Sequence, residues 1–158
     1  MRIVLESRAY INRLEGTGVS AGEVGLAEAN DALRLARNLY RYFVDRAKSE
    51  PIIVFPPIAG CGLIDACEGD VIVGRRLYEV KAVDRNYRAI EVRQLLTYCA
   101  LNHVSGESHL DGVGLLNPRR GTCVELDLDE LCRDVSGESP AALFSEIVEF
   151  ATSAETSS

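Results

Sequence analysis

A predicted β-hairpin is the feature of the sequence that most constrains the fold. Residues 71–73 and 77–83 are rich in β-branched and aromatic or aliphatic side chains, and Gly74-Arg75 lies between them. Glycine at the first of two loop positions favours a type II′ turn, which joins antiparallel strands in a fixed register. The predicted cross-strand pairs are Val73 with Arg76, Ile72 with Leu77, Val71 with Tyr78, and Asp70 with Glu79.

This register predicts a charged face on the hairpin. Directly opposed residues lie about 5 Å apart at Cβ, so Asp70 and Glu79 should be neighbours, and Lys81 shares their face. Opposed like charges destabilise a sheet, and a divalent cation removes that cost; Mg²⁺ takes one or two carboxylates together with phosphate and water. The pattern predicts a site for Mg²⁺ or Mn²⁺ with a lysine beside it. The alternative is a solvated face on which Glu79 and Lys81 are ordinary surface residues.

A helix follows the hairpin, predicted from about Arg88 to Asn102 with Asn86 as its cap. Gln94 and Tyr98 are four residues apart and therefore share a helix face. A glutamine within an apolar stripe needs a hydrogen-bond partner. Aimed at the carboxylate face, this pair would supply donors to phosphate or water. The alternative is a core helix in which Gln94 is bonded to the backbone.

A Gly-Asp hairpin with Glu-x-Lys, followed by a Gln-x-x-x-Tyr helix, resembles the PD-(D/E)XK nuclease superfamily, which has the restriction-endonuclease-like fold. The helix is similar to that of the RecB-type exonuclease branch. The resemblance covers about Gly60 to Leu116 and includes a predicted strand from Val113 to Leu116. It implies an α/β fold with an αβββαβ core, in which a mixed central sheet is flanked by helices.

The resemblance also implies a function and a role for each motif residue. Asp70 and Glu79 would hold the metal, and Lys81 would activate the attacking water through a depressed pKa or simply orient it. Gln94 and Tyr98 would support the site. The implied activity is Mg²⁺-dependent hydrolysis of DNA by an endonuclease or exonuclease of a prokaryotic defence or DNA-processing system. The alternative is a catalytically inactive structural or partner-binding subunit with the same fold.

Two positions depart from the family pattern or compete for a role in it. Gly69 stands where the family has proline before its first aspartate. Asp65, in a Gly-x-Ile-Asp segment like that of some RecB-type members, is an alternative metal ligand. In an uninterrupted strand Asp65 would face away from Glu79, unless a bulge at Gly69 reset the alternation. Asp70 is therefore preferred. The glutamate that many members contribute from their first helix has three candidates by position, which are Glu23, Glu28 and Glu50.

Charge is unevenly distributed along the chain. The net charge is −7, and residues 121–158 contain nine acidic residues and one basic residue, which leaves +1 for residues 1–120. This acidic C-terminal region is a candidate surface for a protein partner. The basic residues near the motif predict either a DNA-binding groove or a solvated face with internal ion pairs; they are Arg75, Arg76, Lys81, Arg85, Arg88 and Arg93. A homodimer is expected, because a second subunit would add affinity for DNA.

Length and composition predict one globular domain with a real core. The chain has 158 residues, of which 47% are hydrophobic and 26% charged. The core is expected over about 23–128, with a C-terminal helix over about 140–151. Five cysteines without a C-x-x-C pair predict reduced, buried thiols. The absence of a long apolar run or signal peptide predicts a cytoplasmic protein without membrane contact. Further predicted elements are a helix over 23–48 and strands over 52–55, 63–67 and 122–128.

Overall fold

The computed structural model describes residues 25–47 and 49–153. In this part of the chain, helices and strands follow one another in a mixed order. They are α1 (Leu26–Ala47), β1 (Ile52–Val54), β2 (Pro57–Ile58), β3 (Cys67–Glu68), β4 (Val71–Val73), β5 (Arg76–Val80), α2 (Ala89–Ser105), β6 (Gly112–Asn117), β7 (Thr122–Asp127), α3 (Leu128–Ser136) and α4 (Pro140–Ser153).

The central sheet is mixed, which confirms the predicted α/β class. Its five strands lie in the order β1-β4-β5-β6-β7. The β5–β6 pair is parallel and the other pairs are antiparallel. A parallel neighbour requires a crossover connection, and α2 provides it between β5 and β6. The short strands β2 and β3 form a separate antiparallel ribbon.

The hairpin register predicted from the sequence is confirmed. Val71 pairs with Tyr78, Ile72 with Leu77, and Val73 with Arg76. Gly74 has a φ of 59°, whereas Arg75 does not have a positive φ. A positive φ at the first loop position alone is the pattern of a type II′ turn. Only a residue without Cβ adopts this conformation without strain, so Gly74 fixes which residues of the two strands face each other.

Alternation along β5 divides the buried side chains between two sheet faces. Leu77 packs with Ile72, Leu95 and Phe144 in a core formed with α2, α3 and α4. Tyr78 packs with Phe43 in a smaller core under α1. Because side chains two residues apart share a face, Glu79 and Lys81 lie on the side of the sheet that α2 covers.

Two of the strand predictions need correction. The strand expected over 63–67 is not present; this segment turns back on itself through a bridge between Cys61 and Ile64. Leu63 donates its N–H to the carbonyl of Ala151 in α4, at 3.1 Å. Gly62 lies so close to Ala151 that a Cβ there would be 2.3 Å from the carbonyl oxygen. The loop therefore packs on α4 instead of continuing the sheet.

The strand expected over 122–128 ends at Asp127, because this residue caps a helix that the sequence analysis missed. The Asp127 carboxylate accepts hydrogen bonds from the N–H groups of Asp129 and Glu130 at 2.9 and 3.3 Å. The helix α3 then runs to Ser136 and ends at Gly137, whose φ of 79° is left-handed. These are ordinary start and stop signals of a helix.

The remaining global predictions concern cysteines and membranes. None of the five cysteines forms a disulfide; Cys99 and Cys132 are buried, and the other three are only partly buried. Within the described residues, no helix has the length and apolar character that crossing a membrane would take.

Candidate functional site

Asp70 immediately precedes β4 and lies beside β5. Its Oδ2 accepts a hydrogen bond from the N–H of Val80 at 2.7 Å. Its backbone carbonyl accepts a bond from the N–H of Phe55 at 3.0 Å. The Asp70 carboxylate is close enough to Glu79 to act on its ionisation. The two carboxylates that the register predicted to be neighbours do lie together.

Glu79 is the buried acid of this group, with 3% of its surface exposed. Its Oε1 forms an ion pair with Lys81 Nζ. Burial raises the pKa of Glu79, and the charge of Asp70 raises it further; together they outweigh the opposing effects of Lys81 and Gln94. A solvated charged face, the alternative left open by the sequence, does not describe Glu79.

Lys81 is fixed through both its backbone and its ammonium group. Its N–H donates to the carbonyl of Leu116 at 2.8 Å, which continues the parallel pairing of β5 with β6. Its Nζ donates to Gln94 Oε1 at 3.3 Å. Burial lowers the pKa of Lys81, but the hydrogen bond and charge of Glu79, together with the charge of Asp70, raise it above the ordinary value. Without a metal ion the surroundings therefore favour the charged form of Lys81, and the depressed pKa expected beside a bound metal stays a prediction.

Gln94 links α2 to the two charged residues of β5. Its Nε2 donates to the hydroxyl of Tyr98 at 2.8 Å, and its side chain is also hydrogen-bonded to Glu79. Tyr98 in turn interacts with the thiol of Cys67. The predicted shared face of Gln94 and Tyr98 is confirmed, and the bonds of the Gln94 side chain go to side chains rather than to the backbone.

Two residues that support the site were missed by sequence reasoning. Cys67, in β3, contacts Tyr98 from outside the motif region. Asn117 is 1% exposed, and its Nδ2 donates to the carbonyl of Val83 at 2.7 Å, which holds the loop that follows Lys81. The Asn-Pro pair after β6 signalled a turn, but nothing local to Asn117 indicates its partner 34 residues away.

The start of α2 differs from the prediction. Arg88, and not Asn86, occupies the N-cap position of the helix. The Oδ1 of Asn86 instead accepts a hydrogen bond from Arg120 at 2.9 Å. The cap is completed by Glu91, whose Oε2 accepts the N–H of Arg88 at 2.5 Å. Arg85 donates to Glu91 Oε1 at 2.5 Å. Arg85 is therefore part of the helix start.

The other acidic candidates lie away from Glu79. Asp65 is exposed in the loop between β2 and β3, and the groups that act on Glu79 are Lys81, Asp70 and Gln94. Since the preceding segment is not a strand, a bulge at Gly69 does not bring Asp65 to this face.

Two of the three candidates for a first-helix glutamate also lie away from the site. Glu28 is exposed at the start of α1, where it accepts the N–H of Gly25 at 3.2 Å. Glu50 lies against Gly74, at the turn end of the hairpin. Glu23 lies outside the described residues.

The predicted basic cluster is divided between two ends of the sheet. Arg75 and Arg76 lie at the hairpin turn, where they pair with Asp111 at 3.2 Å and Glu125 at 3.7 Å. Five residues of extended strand separate Arg76 from Lys81, which is roughly 16 Å. Arg85, Arg88 and Arg93 lie instead around the start of α2. The basic residues near the motif therefore do not share one groove, and a DNA-binding role for any of them stays a prediction.

The site offers two carboxylates to a divalent ion. Among residues 25–47 and 49–153, no group of three or more His, Cys, Asp and Glu side chains is placed to hold a metal ion. Asp70 and Glu79 are a pair of hard oxygen donors, which meets the one or two carboxylates that Mg²⁺ takes when substrate phosphate and water complete its coordination.

Comparisons with protein-family models, with curated proteins and with solved structures find no match to this chain.

Proposed function

We propose that the chain is a Mg²⁺- or Mn²⁺-dependent phosphodiesterase that acts on DNA. The observation that carries the proposal is the state of Glu79, a buried carboxylate with a second carboxylate beside it and a raised pKa. Two acids this close favour a bound cation, because the cation removes both their mutual repulsion and the cost of burying a charge.

Asp70 and Glu79 would hold the ion. When bound, the metal would polarise a phosphoryl oxygen and lower the pKa of a coordinated water. Asp70 suits this role because one oxygen is fixed by the Val80 N–H, which orients the carboxylate without using both of its oxygens. Glu79 is oriented by Lys81 and Gln94.

Lys81 would act on the phosphate and the attacking water as a cation. An ammonium group has three donors; within the described residues, Glu79 and Gln94 accept hydrogen bonds from it. A third N–H is left to bind a non-bridging phosphate oxygen or to orient the water. Through this N–H Lys81 would act as a donor in this step.

Gln94 and Tyr98 are positioning residues in this scheme. Their hydrogen bond is 2.8 Å long, and it fixes the amide that contacts both Lys81 and Glu79. Because α2 carries both side chains at helical spacing, the helix sets the separation between the ammonium and the carboxylate. An error of about 1 Å in such a group can cost about 100-fold in rate.

The order of elements supports the same proposal. A helix, three antiparallel strands, a crossover helix and a parallel strand are formed by α1, β1, β4, β5, α2 and β6. With the β2–β3 ribbon inserted after β1, this order is compatible with the αβββαβ core that the resemblance implies for a PD-(D/E)XK nuclease. A role in prokaryotic defence or DNA processing follows from that resemblance.

One observation favours a second candidate function, an inactive structural or partner-binding subunit. Lys81 is already paired with Glu79, so the site has an internal counter-ion without any metal. In that case the acidic region after residue 120 would be the surface that meets a partner.

The test is cleavage of labelled linear and circular DNA with Mg²⁺ or Mn²⁺, and with EDTA. Asp70→Asn keeps an oxygen for the Val80 N–H but removes the charge, and should abolish cleavage. Asp65→Asn is the matched control and should cleave like the wild type. Metal-independent cleavage, or loss of activity in Asp65→Asn alone, would overturn the site assignment. The absence of cleavage by the wild type on every DNA form would favour the inactive subunit.

A further inference from the structure

A long exposed segment of the chain carries no charge. Residues 51–64 contain no Asp, Glu, Lys, Arg or His. The segment includes β1, in which all three residues are exposed, and Phe55, which is 61% exposed. Edge strands of natural proteins are usually protected by charged side chains, and large exposed apolar patches mark interaction sites.

β1 is an edge strand whose free side can be assigned from its hydrogen bonds. Among residues 25–47 and 49–153 it pairs only with β4, and Ile53 is opposite Ile72. Pro51 accepts the N–H of Gly74, and Phe55 donates to Asp70, both toward β4. Backbone direction alternates along a strand, so the N–H and C=O groups of Ile52 and Val54 point away from the sheet.

An apolar groove adjoins this edge. It lies between α1 and β1 and has a volume of about 460 Å³. Its lining includes Tyr40, Val44, Val54 and Phe55 and, as its one charged residue, Asp70. Tyr40 and Val44 are themselves exposed on α1. The free strand edge and the exposed side of α1 thus form one continuous surface, which we call the β1 surface (residues 40, 44 and 52–55).

We propose that the β1 surface is the contact between two copies of this chain. The two β1 strands would pair antiparallel about a twofold axis at Ile53. In this register Ile52 exchanges both backbone hydrogen bonds with Val54 of the second copy, and Val54 does the same with Ile52. An interface formed by the same patch on both subunits must be self-complementary, and the outward-pointing groups of this strand meet that condition.

Charge favours a second copy over other occupants. Each copy carries a net charge of −7, so association requires a surface that keeps like charges apart. The β1 surface is uncharged, and the acidic residues after 120 begin on β7, at the opposite edge of the sheet. A polyanion such as DNA finds no cation in residues 51–64. The proposal does not depend on the catalytic activity of the Asp70 site.

The test compares a charge placed at each edge of the sheet. Val54 and Val124 are exposed valines on the two edge strands, 58% and 43% exposed. Sedimentation and light scattering should show a dimer for the wild type and for Val124→Lys, and a monomer for Val54→Lys. The circular dichroism spectrum of Val54→Lys should match the wild type, since its side chain and outward N–H take no part in the pairing with β4. Its melting temperature should match that of the wild type diluted until the dimer dissociates.

Amide exchange provides a second measurement on the unaltered protein. In a dimer of this kind, protection of the Ile52 and Val54 amides rises with protein concentration, while protection of Ile53, which bonds to β4, does not depend on pairing. A monomer at all concentrations would overturn the proposal, and so would a dimer that survives in Val54→Lys. Concentration-independent protection of Ile52 and Val54 in a monomer would assign the edge to another segment of the same chain and would also overturn it.

Discussion

Two buried glutamates, Glu79 and Glu91, have nearly equal burial and opposite acidity. Glu79 is 3% exposed and Glu91 is 2% exposed, and each is paired with one cation, Lys81 or Arg85. The pKa of Glu79 is raised, whereas the pKa of Glu91 is lowered, in the first place by its hydrogen bond with Arg85. Burial alone therefore does not decide the state of a carboxylate in this protein.

The difference lies in what surrounds each carboxylate. Glu91 receives a guanidinium and backbone N–H groups at a helix start, where the helix dipole also favours an anion. Glu79 receives one ammonium and one amide, and has Asp70 beside it. The surroundings of Glu91 favour its ionised form, whereas those of Glu79 disfavour ionisation. We infer that Glu91 is a structural residue and that Glu79 would bind a metal cation.

The largest expected effect separates the two cations. Lys81→Ala should lower Mg²⁺-dependent DNA hydrolysis at least about 100-fold, the usual scale for a group acting on the nucleophile, and should also lower the melting temperature, because it leaves the buried Glu79 without its ammonium group. Arg85→Ala should retain hydrolysis but melt at a lower temperature, because it leaves a buried Glu91 without its guanidinium. Initial rates below both melting temperatures, together with thermal melts, measure both effects. A Lys81→Ala variant that cleaves like the wild type would contradict the proposed mechanism.

The next effect concerns stability in the absence of metal. Glu91→Gln should destabilise the fold, because it removes the charge that Arg85 and the helix start stabilise. Glu79→Gln should be neutral or stabilising, within about 1 kcal/mol, because it removes a charge that burial and Asp70 disfavour. Urea unfolding in EDTA near neutral pH measures both free energies. The reverse order would show that Glu79 is the structural residue of the two.

The pH dependence of stability should also differ between the two positions. The native pKa of Glu79 lies above its ordinary value of 4.5, so its contribution is present below about pH 4.5 and is lost as the pH rises through the native pKa. The free energy of unfolding of Glu79→Gln, relative to that of the wild type, should therefore increase as the pH rises through this range. Glu91 has a lowered native pKa, so its contribution is present above about pH 4.5 and is lost as the pH falls through the native pKa. Urea unfolding from about pH 3 to about pH 8 tests both signs.

The smallest expected effect concerns DNA binding by the arginines around α2. Arg85 is held by Glu91, but in the part of the chain that the structure describes, Arg88 and Arg93 form no ion pair. Arg88→Ala combined with Arg93→Ala should reduce the slope of log K against log salt by about 2. Arg75→Ala, which breaks a pair with Asp111, should leave the slope unchanged. Equal slopes in all variants would show that Arg88 and Arg93 do not contact phosphate.

Local chemistry explains which parts of this arrangement could be predicted. The hairpin register follows from a Gly-Arg loop between apolar runs, and the contact of Gln94 with Tyr98 follows from helical spacing. Both depend on residues a few positions apart. The helix α3 also had local signals, its cap residues Asp127 and Gly137. It was missed because the predicted strand was extended to residue 128, past the residue that caps the helix.

Other features depend on partners that no local pattern specifies. The loop at Gly62 failed to form the expected strand because it packs on Ala151, which is distant in the sequence. The role of Glu91 was hidden because the predicted cap was placed at Asn86. The raised pKa of Lys81 results from the balance between burial and two carboxylates, and such a balance requires the three-dimensional structure.

A metal titration followed by thermal melting tests the difference between Glu79 and Glu91 most directly. An ion that binds only the native state stabilises it by about 2.7 kcal/mol at 100 times its dissociation constant. With Mg²⁺ or Mn²⁺, the melting temperatures of the wild type and of Glu91→Gln should rise by similar amounts, the latter from a lower start. Glu79→Gln and Asp70→Asn should show no rise. A wild type that does not respond to either ion, or a Glu79→Gln variant that responds like the wild type, would contradict the assignment of Glu79 as a metal ligand.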